Sequence, residues 1–186
     1  QGDKPFFSLI LSTSNHVPYE FPDGRISLYE EPQQTHHNAI KYADYAIGVF
    51  FELAKKERYF DQTIFLVVAD HNSHVRGNDH VPLGKFHIPG LIIGPNVIPA
   101  EVDILASQID LLPTLLHFTG LDTIHPLIGR NLNTLPAGTP GRAFMQYASN
   151  NAYMVGEDVI IHRPHLPPLQ FKYDTKTEVL SPAELN

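Results

Sequence analysis

Apolar and polar positions follow three different rhythms along this chain, and each predicts a different kind of element. Residues 5–13, PFFSLILST, are a nearly unbroken apolar run that reads as a buried strand delivering Ser14, Asn15 and His16 to its carboxyl end. Pro18, Pro22 and the pair Asp23-Gly24 then mark a loop, because proline disfavours helix at the preceding residue and Asp-Gly favours a turn. Residues 25–37 carry no period and read as irregular. Over residues 38–57, Ile40, Ala43, Ile47, Phe50 and Ala54 recur at steps of three and four, which predicts an amphipathic helix packed on a sheet. Asn38 is placed to cap it, and Lys55, Lys56 and Arg58 suit the negative end of its dipole. Residues 63–69, TIFLVVA, predict a second buried strand, which stops abruptly at Asp70 and His71.

Beyond that stop, residues 72–85 form a long, polar, histidine-rich loop of the kind that faces a substrate. A short strand is expected at residues 91–94 and a helix at 107–118. In the helix Asp110 is placed to cap, Pro113 falls in a first turn where a missing amide hydrogen is tolerated, and Gly120 ends the element. Proline and glycine at residues 135–141 mark a boundary. After it, strand-like runs at 143–148, 152–155, 159–162 and 169–173 are separated by turn signals at Asn150-Asn151, Gly156-Glu157 and residues 164–168, which predicts an antiparallel meander. The expected organisation is therefore an incomplete α/β domain over residues 1–135, followed by a small antiparallel β subdomain over residues 136–186.

Composition narrows the function classes. With 186 residues, 42% of them hydrophobic, the chain can bury the core of one domain and does not read as disordered. A net charge of −7, with no block of Lys or Arg long enough to follow a phosphate backbone, argues against nucleic acid as a partner. Cysteine is absent, so neither disulfides nor thiolate metal sites contribute. No apolar run approaches the roughly 20 residues of a membrane span. The chain opens on Gln1 and enters its first strand almost at once, which suggests a cleaved or truncated product. Seven of the eleven histidines precede residue 88, a clustering that favours a site.

The centre of that cluster is the acid and imidazole at Asp70 and His71. In an open α/β sheet ligands collect outside the carboxyl ends of the strands, so this pair would stand at the rim of a site. Neighbouring strand residues point to opposite faces, so both can reach one divalent cation only if the backbone turns there, as Asn72-Ser73-His74 permits. Zinc and manganese accept such mixed oxygen and nitrogen ligands. His74, Asp79, His80 and His87 are further candidates. Two plainer readings stay open: a polar loop capping a strand, or a metal-free acid-base pair. His36 and His37 diverge at a helix start and read as surface or capping residues, with one of them a candidate for substrate contact, while His117 reads as structural.

Four segments in register give these residues a context. They are Ser14-Asn15-His16-Val17-Pro18; the run from Lys55-Lys56-Glu57 through Tyr59-Phe60-Asp61-Gln62-Thr63 and the apolar strand to Ala69-Asp70-His71; Phe86-His87-Ile88-Pro89-Gly90-Leu91-Ile92-Ile93; and Ser107-Gln108-Ile109-Asp110-Leu111-Leu112-Pro113-Thr114-Leu115-Leu116. Over most of residues 4–132 the chain resembles the sulfatase branch of the alkaline phosphatase superfamily. Within that branch it is similar to the lipoteichoic acid synthase and phosphoglycerol transferase group.

The resemblance implies an alkaline-phosphatase-like α/β sheet flanked by helices, with a small terminal antiparallel sheet. It implies a divalent metal, be it Mn, Mg, Zn or Ca, held by Asp70 and His71, and substrate contacts from His16 and His80. The substrate would be a phosphate or sulfate ester, lipid- or glycan-linked. The nucleophile and another metal carboxylate would lie in an amino-terminal part of the same protein, upstream of these residues. A membrane anchor, with this domain on the extracytoplasmic side, is implied as well. The short Pro- and Arg-containing motif from which formylglycine sulfatases mature a Cys or Ser nucleophile does not occur here. Phosphoglycerol transfer, sulfate ester hydrolysis and a non-catalytic metal-binding α/β module all remain open. Gly129-Arg130-Asn131-Leu132 resembles a loop of the family and is expected to be architectural.

Overall fold

A computed structural model describes residues 4–73, 75–77, 79–121 and 123–184. It divides into two compact units, Gln1–Asp61 and Gln62–Asn186.

The first unit is built on helix α1, His36–Ala54. Its cap is Thr35, whose hydroxyl accepts the amide of Asn38, and not the expected Asn38. Asn38 is fully buried and serves the preceding loop instead. Its Oδ1 accepts the Tyr29 amide at 2.6 Å, and its Nδ2 donates to the carbonyls of Glu30, Pro32 and Gln33 at 2.7, 3.2 and 3.2 Å. A primary amide offers two N–H donors beside a carbonyl acceptor, and so can serve several backbone groups of a closed loop from inside, where a hydroxyl has one donor only. Phe21 stacks on Tyr42 with ring centroids 4.8 Å apart, fixing the loop against the helix.

Two expectations for this unit are corrected. Residues 5–13 form no strand, and Phe6, Phe7, Leu9, Ile10 and Leu11 are 54–77% exposed. An apolar run acquires strand pairing only from a neighbouring edge, and among the described residues none pairs with it. The helical stripe is likewise open: Ile40, Ile47 and Phe50 remain exposed, while Ala39 and Ala54 are buried.

In the second unit β1 (Phe65–Val68) pairs antiparallel with β2 (Gly90–Ile93), Phe65 opposite Ile93 and Val68 opposite Gly90. Both predicted strands therefore exist, but β1 is half-buried where full burial is expected. The segment between them carries the histidine-rich loop. A 3-10 turn at Gln108–Asp110 leads into α2, Leu111–Phe118, and Gly120, at φ +70°, closes the helix with its amide on the His117 carbonyl.

The carboxyl-terminal sheet is a meander of β3 (Arg142–Tyr147), β4 (Asn150–Val155), β5 (Asp158–His162), β6 (Leu169–Asp174) and β7 (Val179–Ala183), in spatial order of sequence. Alternate residues face inward: Ala143 and Met145, Ala152 and Met154, Val159 and Ile161, with Tyr173. Val81 and Leu83, from the loop between β1 and β2, complete this core. Strand β7 is absent from the sequence reading because Ser181-Pro182 breaks the pattern, and an edge strand tolerates such a proline. The β3–β4 turn is Ala148-Ser149 and not Asn150-Asn151, which open β4.

Candidate functional site

Strand β1 ends at Val68, and the backbone turns at Asp70 and His71, as the functional reading of the pair requires. Asp70 Oδ1 accepts the His71 amide at 2.9 Å, closing a tight local ring. His71 Nδ1 lies 2.9 Å from the Asn72 carbonyl oxygen, which can only accept, so a proton on Nδ1 makes a hydrogen bond there and Nε2 is the nitrogen open to a ligand. That Nε2 stands 3.6 Å from Asp70 Oδ2, and both side chains are about three-quarters exposed.

The donor set fits a cation at two corners of its coordination sphere. Ligand distances of about 2.0–2.2 Å at tetrahedral angles place neighbouring donor atoms about 3.4 Å apart. A backbone carbonyl on the second ring nitrogen is the usual outer partner of a ligating histidine. Among the described residues no group of three or more His, Cys, Asp or Glu converges on one point, so the pair supplies part of such a sphere.

The turn is held from outside its own segment. Gln108 Nε2 donates to the carbonyls of Ala69 at 2.9 Å and Asp70 at 3.1 Å. The amide of Phe144 in β3 donates to Ser107 Oγ at 2.7 Å, and Ser107 and Asp110 form a reciprocal capping box around Gln108. Asp110 is fully buried, accepts the Arg130 amide at 2.6 Å, and lies 3.9 Å from the Arg142 guanidinium.

His80 is exposed, and its position is set by its neighbours in the chain and in space. Its carbonyl accepts from Asn150 Nδ2 at 2.9 Å, and the next residue, Val81, is buried in the core of the carboxyl-terminal sheet. Asp79 and His87 are exposed, His87 at the end of the 3-10 turn Leu83–Phe86. His74 lies outside the described residues.

His16 belongs to the first unit, in the turn that follows residues 5–13. Its amide donates to Thr13, and its exposed ring places Nδ1 2.7 Å from the Val17 carbonyl, so Nε2 is again the available atom. His37 Nδ1 contacts Glu30 Oε1 at 2.9 Å. That contact, with a further bond from Thr35, holds the Glu30 carboxyl below its ordinary range. His37 thus serves the loop before α1.

Ser107-x-x-Asp110 carries a capping-box spacing that sequence could reveal. Gln108 and Asn150 carry no local signal, because their partners lie 38 and 39, and 70, positions away.

Comparisons with known proteins bear on the family and the fold. A sulfatase family model matches residues 1–121. Lipoteichoic acid synthases 1 and 2 of Bacillus subtilis are 25% and 28% identical over 64% of this chain. The chain spans only about a fifth of the length of these relatives, 22% and 21%. A crystal structure of a protein in the alkaline phosphatase superfamily from Vibrio parahaemolyticus superposes on the whole chain with a TM-score of 0.92 at 44% identity, over 45% of its own length. Ps i-CgsB, at 18% identity and a TM-score of 0.55 over 78% of this chain, shares the fold. With a family model over residues 1–121 and a superfamily fold over the full length, the chain belongs to the sulfatase family of the alkaline phosphatase superfamily.

Proposed function

We propose that this chain is the carboxyl-terminal part of a divalent-metal-dependent enzyme acting on phosphate or sulfate esters, with phosphoglycerol transfer onto a lipid- or glycan-linked acceptor as its reaction. Residues 1–135 form part of the sulfatase-like domain, and residues 136–186 form a subdomain that braces it. The observation that carries the proposal is the convergence of Asp70 Oδ2 and His71 Nε2 to 3.6 Å, with His71 Nδ1 engaged by the Asn72 carbonyl at 2.9 Å. Asp70 and His71 hold the cation, and a bound divalent ion supplies Lewis acidity toward the ester oxygens and activation of an attacking hydroxyl. That hydroxyl, with the remaining metal ligands, comes from an amino-terminal part of the same protein. His16 and His80 contact the non-bridging oxygens or protonate the leaving group, work that suits an imidazole near neutral pH.

The complete protein is membrane-anchored, with these residues outside the cytoplasmic membrane. Within the described residues, no helix is long and apolar enough to cross a membrane. Sulfate ester hydrolysis is the second reading, favoured by the sulfatase family model; phosphoglycerol transfer is favoured by the lipoteichoic acid synthases among the relatives.

The test is metal content and turnover of the complete gene product after dialysis against chelator and back-titration with Mn2+, using a phosphodiester and a sulfate monoester in parallel. Expected are metal-dependent cleavage of the phosphodiester and its loss in Asp70→Asn and His71→Ala. Turnover indifferent to chelator would assign the pair to metal-free acid-base chemistry. An inert full-length protein with intact Asp70 would make this a non-catalytic module.

A further inference from the structure

The side chain of Gln108 is exposed, reaches across from another element and makes no bond that its own turn needs, yet it donates to two successive carbonyls, those of Ala69 and Asp70. A primary amide has two N–H donors, and two adjacent acceptors fix both the end of β1 and the direction in which the chain leaves it. The direction matters here, because a regular continuation of β1 would send Asp70 and His71 to opposite faces. Gln108 in turn has little freedom of its own. It sits between Ser107 and Asp110, whose capping box is closed, whose carboxylate is buried, and whose hydroxyl receives the Phe144 amide of β3.

From this arrangement we infer that Gln108 is a positioning residue for the Asp70–His71 pair, transmitting the fixed placement of the carboxyl-terminal sheet to the turn that carries both side chains. The role toward a cation rests on the reading of that pair as metal ligands; the role toward the turn does not. The physical reason for such a brace is the exposure of both side chains: no packing holds them, so their convergence depends on the backbone beneath.

The experiment compares the complete gene product with its Gln108→Ala and Gln108→Glu variants, and with Asp70→Asn. One arm reads hydrogen exchange of the peptide spanning residues 67–73 in the absence of metal, and the other reads Mn2+ affinity by calorimetry. Because Gln108 is exposed, both variants are expected to fold, with the exchange of the β3–β7 peptides unchanged as the check. Expected are exchange about fivefold faster at residues 67–73, as loss of local bonding of ordinary strength gives, and Mn2+ affinity at least tenfold weaker, in the range of outer-partner losses at metal sites of about 10–100-fold. Unchanged exchange at residues 67–73 overturns the inference. Faster exchange with wild-type Mn2+ affinity also overturns it, since the contact would then be structural only. If the parent protein and Asp70→Asn bind Mn2+ equally poorly, the metal reading fails, and the exchange arm alone decides whether Gln108 holds the turn.

Discussion

Single polar side chains, buried or bridging, do more to set this molecule's geometry than their number suggests. Asn38 and Asp110 are both fully buried, and each joins segments that would otherwise have no reason to meet. Removing the buried Asn38 amide deprives the part-buried Tyr29 N–H and three loop carbonyls of this partner. Asn38→Ala is therefore expected to cost about 2–3 kcal/mol, since a buried group left without its partner forfeits about 1–3 kcal/mol. Urea unfolding checks this: the midpoint should fall at constant slope. Asp110→Ala leaves the Arg130 amide and the Ser107 amide unpaired and the Arg142 guanidinium without its carboxylate, for about 3–5 kcal/mol. The proposed chemistry sits at the same scale, where the Asn72 carbonyl engages His71 Nδ1 and leaves Nε2 beside Asp70.

At the scale of elements, the loop after α2 shows how tightly the parts fit. A Cβ added at Gly129 would sit 1.9 Å from the Ile109 carbonyl oxygen, a backbone atom that cannot step aside. Arg130 and Leu132 donate their amides to Asp110 and Thr114, and Asn131 caps the short turn that follows. The resemblance of this loop to one of the family implied an architectural role, and these contacts are of that kind; Gly129→Ala is predicted to destabilise by about 3 kcal/mol through overpacking, read as a lower thermal midpoint.

The β6–β7 hairpin offers a pH-dependent case. Asp174 Oδ1 accepts from the Lys176 and Thr177 amides, and these bonds hold its carboxyl below the ordinary 3.8. A depressed carboxylate contributes stability that is present above 3.8 and is lost as pH falls through the folded-state value. Wild type should therefore lose stability relative to Asp174→Asn as acid is added below that point, and a crossing of the two curves in the opposite sense would refute the turn's role. The elements themselves were largely legible. Alternation found four of the five meander strands, and a three-four repeat found α1 to within a few residues at each end.

Across the whole molecule, the notable feature is apolar surface without a cover. Residues 6–11 are exposed, and so are Ile40, Ile47 and Leu53 on α1. Contiguous exposed apolar groups of this kind mark interaction surfaces or aggregation hazards. The crystal structure from Vibrio parahaemolyticus holds more than twice the chain that is matched here. With the proposed amino-terminal part as the cover, residues 6–11 should exchange amide hydrogens rapidly in the 186-residue polypeptide and slowly in the complete gene product. Residues 1–186 alone should hydrolyse neither a phosphodiester nor a sulfate ester. Measurable turnover by this polypeptide would show that the nucleophile lies within it.

By itself the sequence determined α1, α2, β1, β2 and four strands of the terminal sheet with their alternating faces, the place where an apolar strand stops at an acid and an imidazole, and the family. Each of these is written in residues close together in the chain, where spacing and side-chain type suffice. Tertiary structure decided the rest: that the Asp70–His71 pair converges, that Asn38 closes a loop and leaves the capping to Thr35, that residues 5–13 stay unpaired, and that the terminal sheet reaches back to hold the site through Ser107, Gln108 and Asn150. The bonds by which that sheet braces the site join residues 37 to 70 positions apart, and no local period records which distant carbonyl a glutamine or asparagine will find.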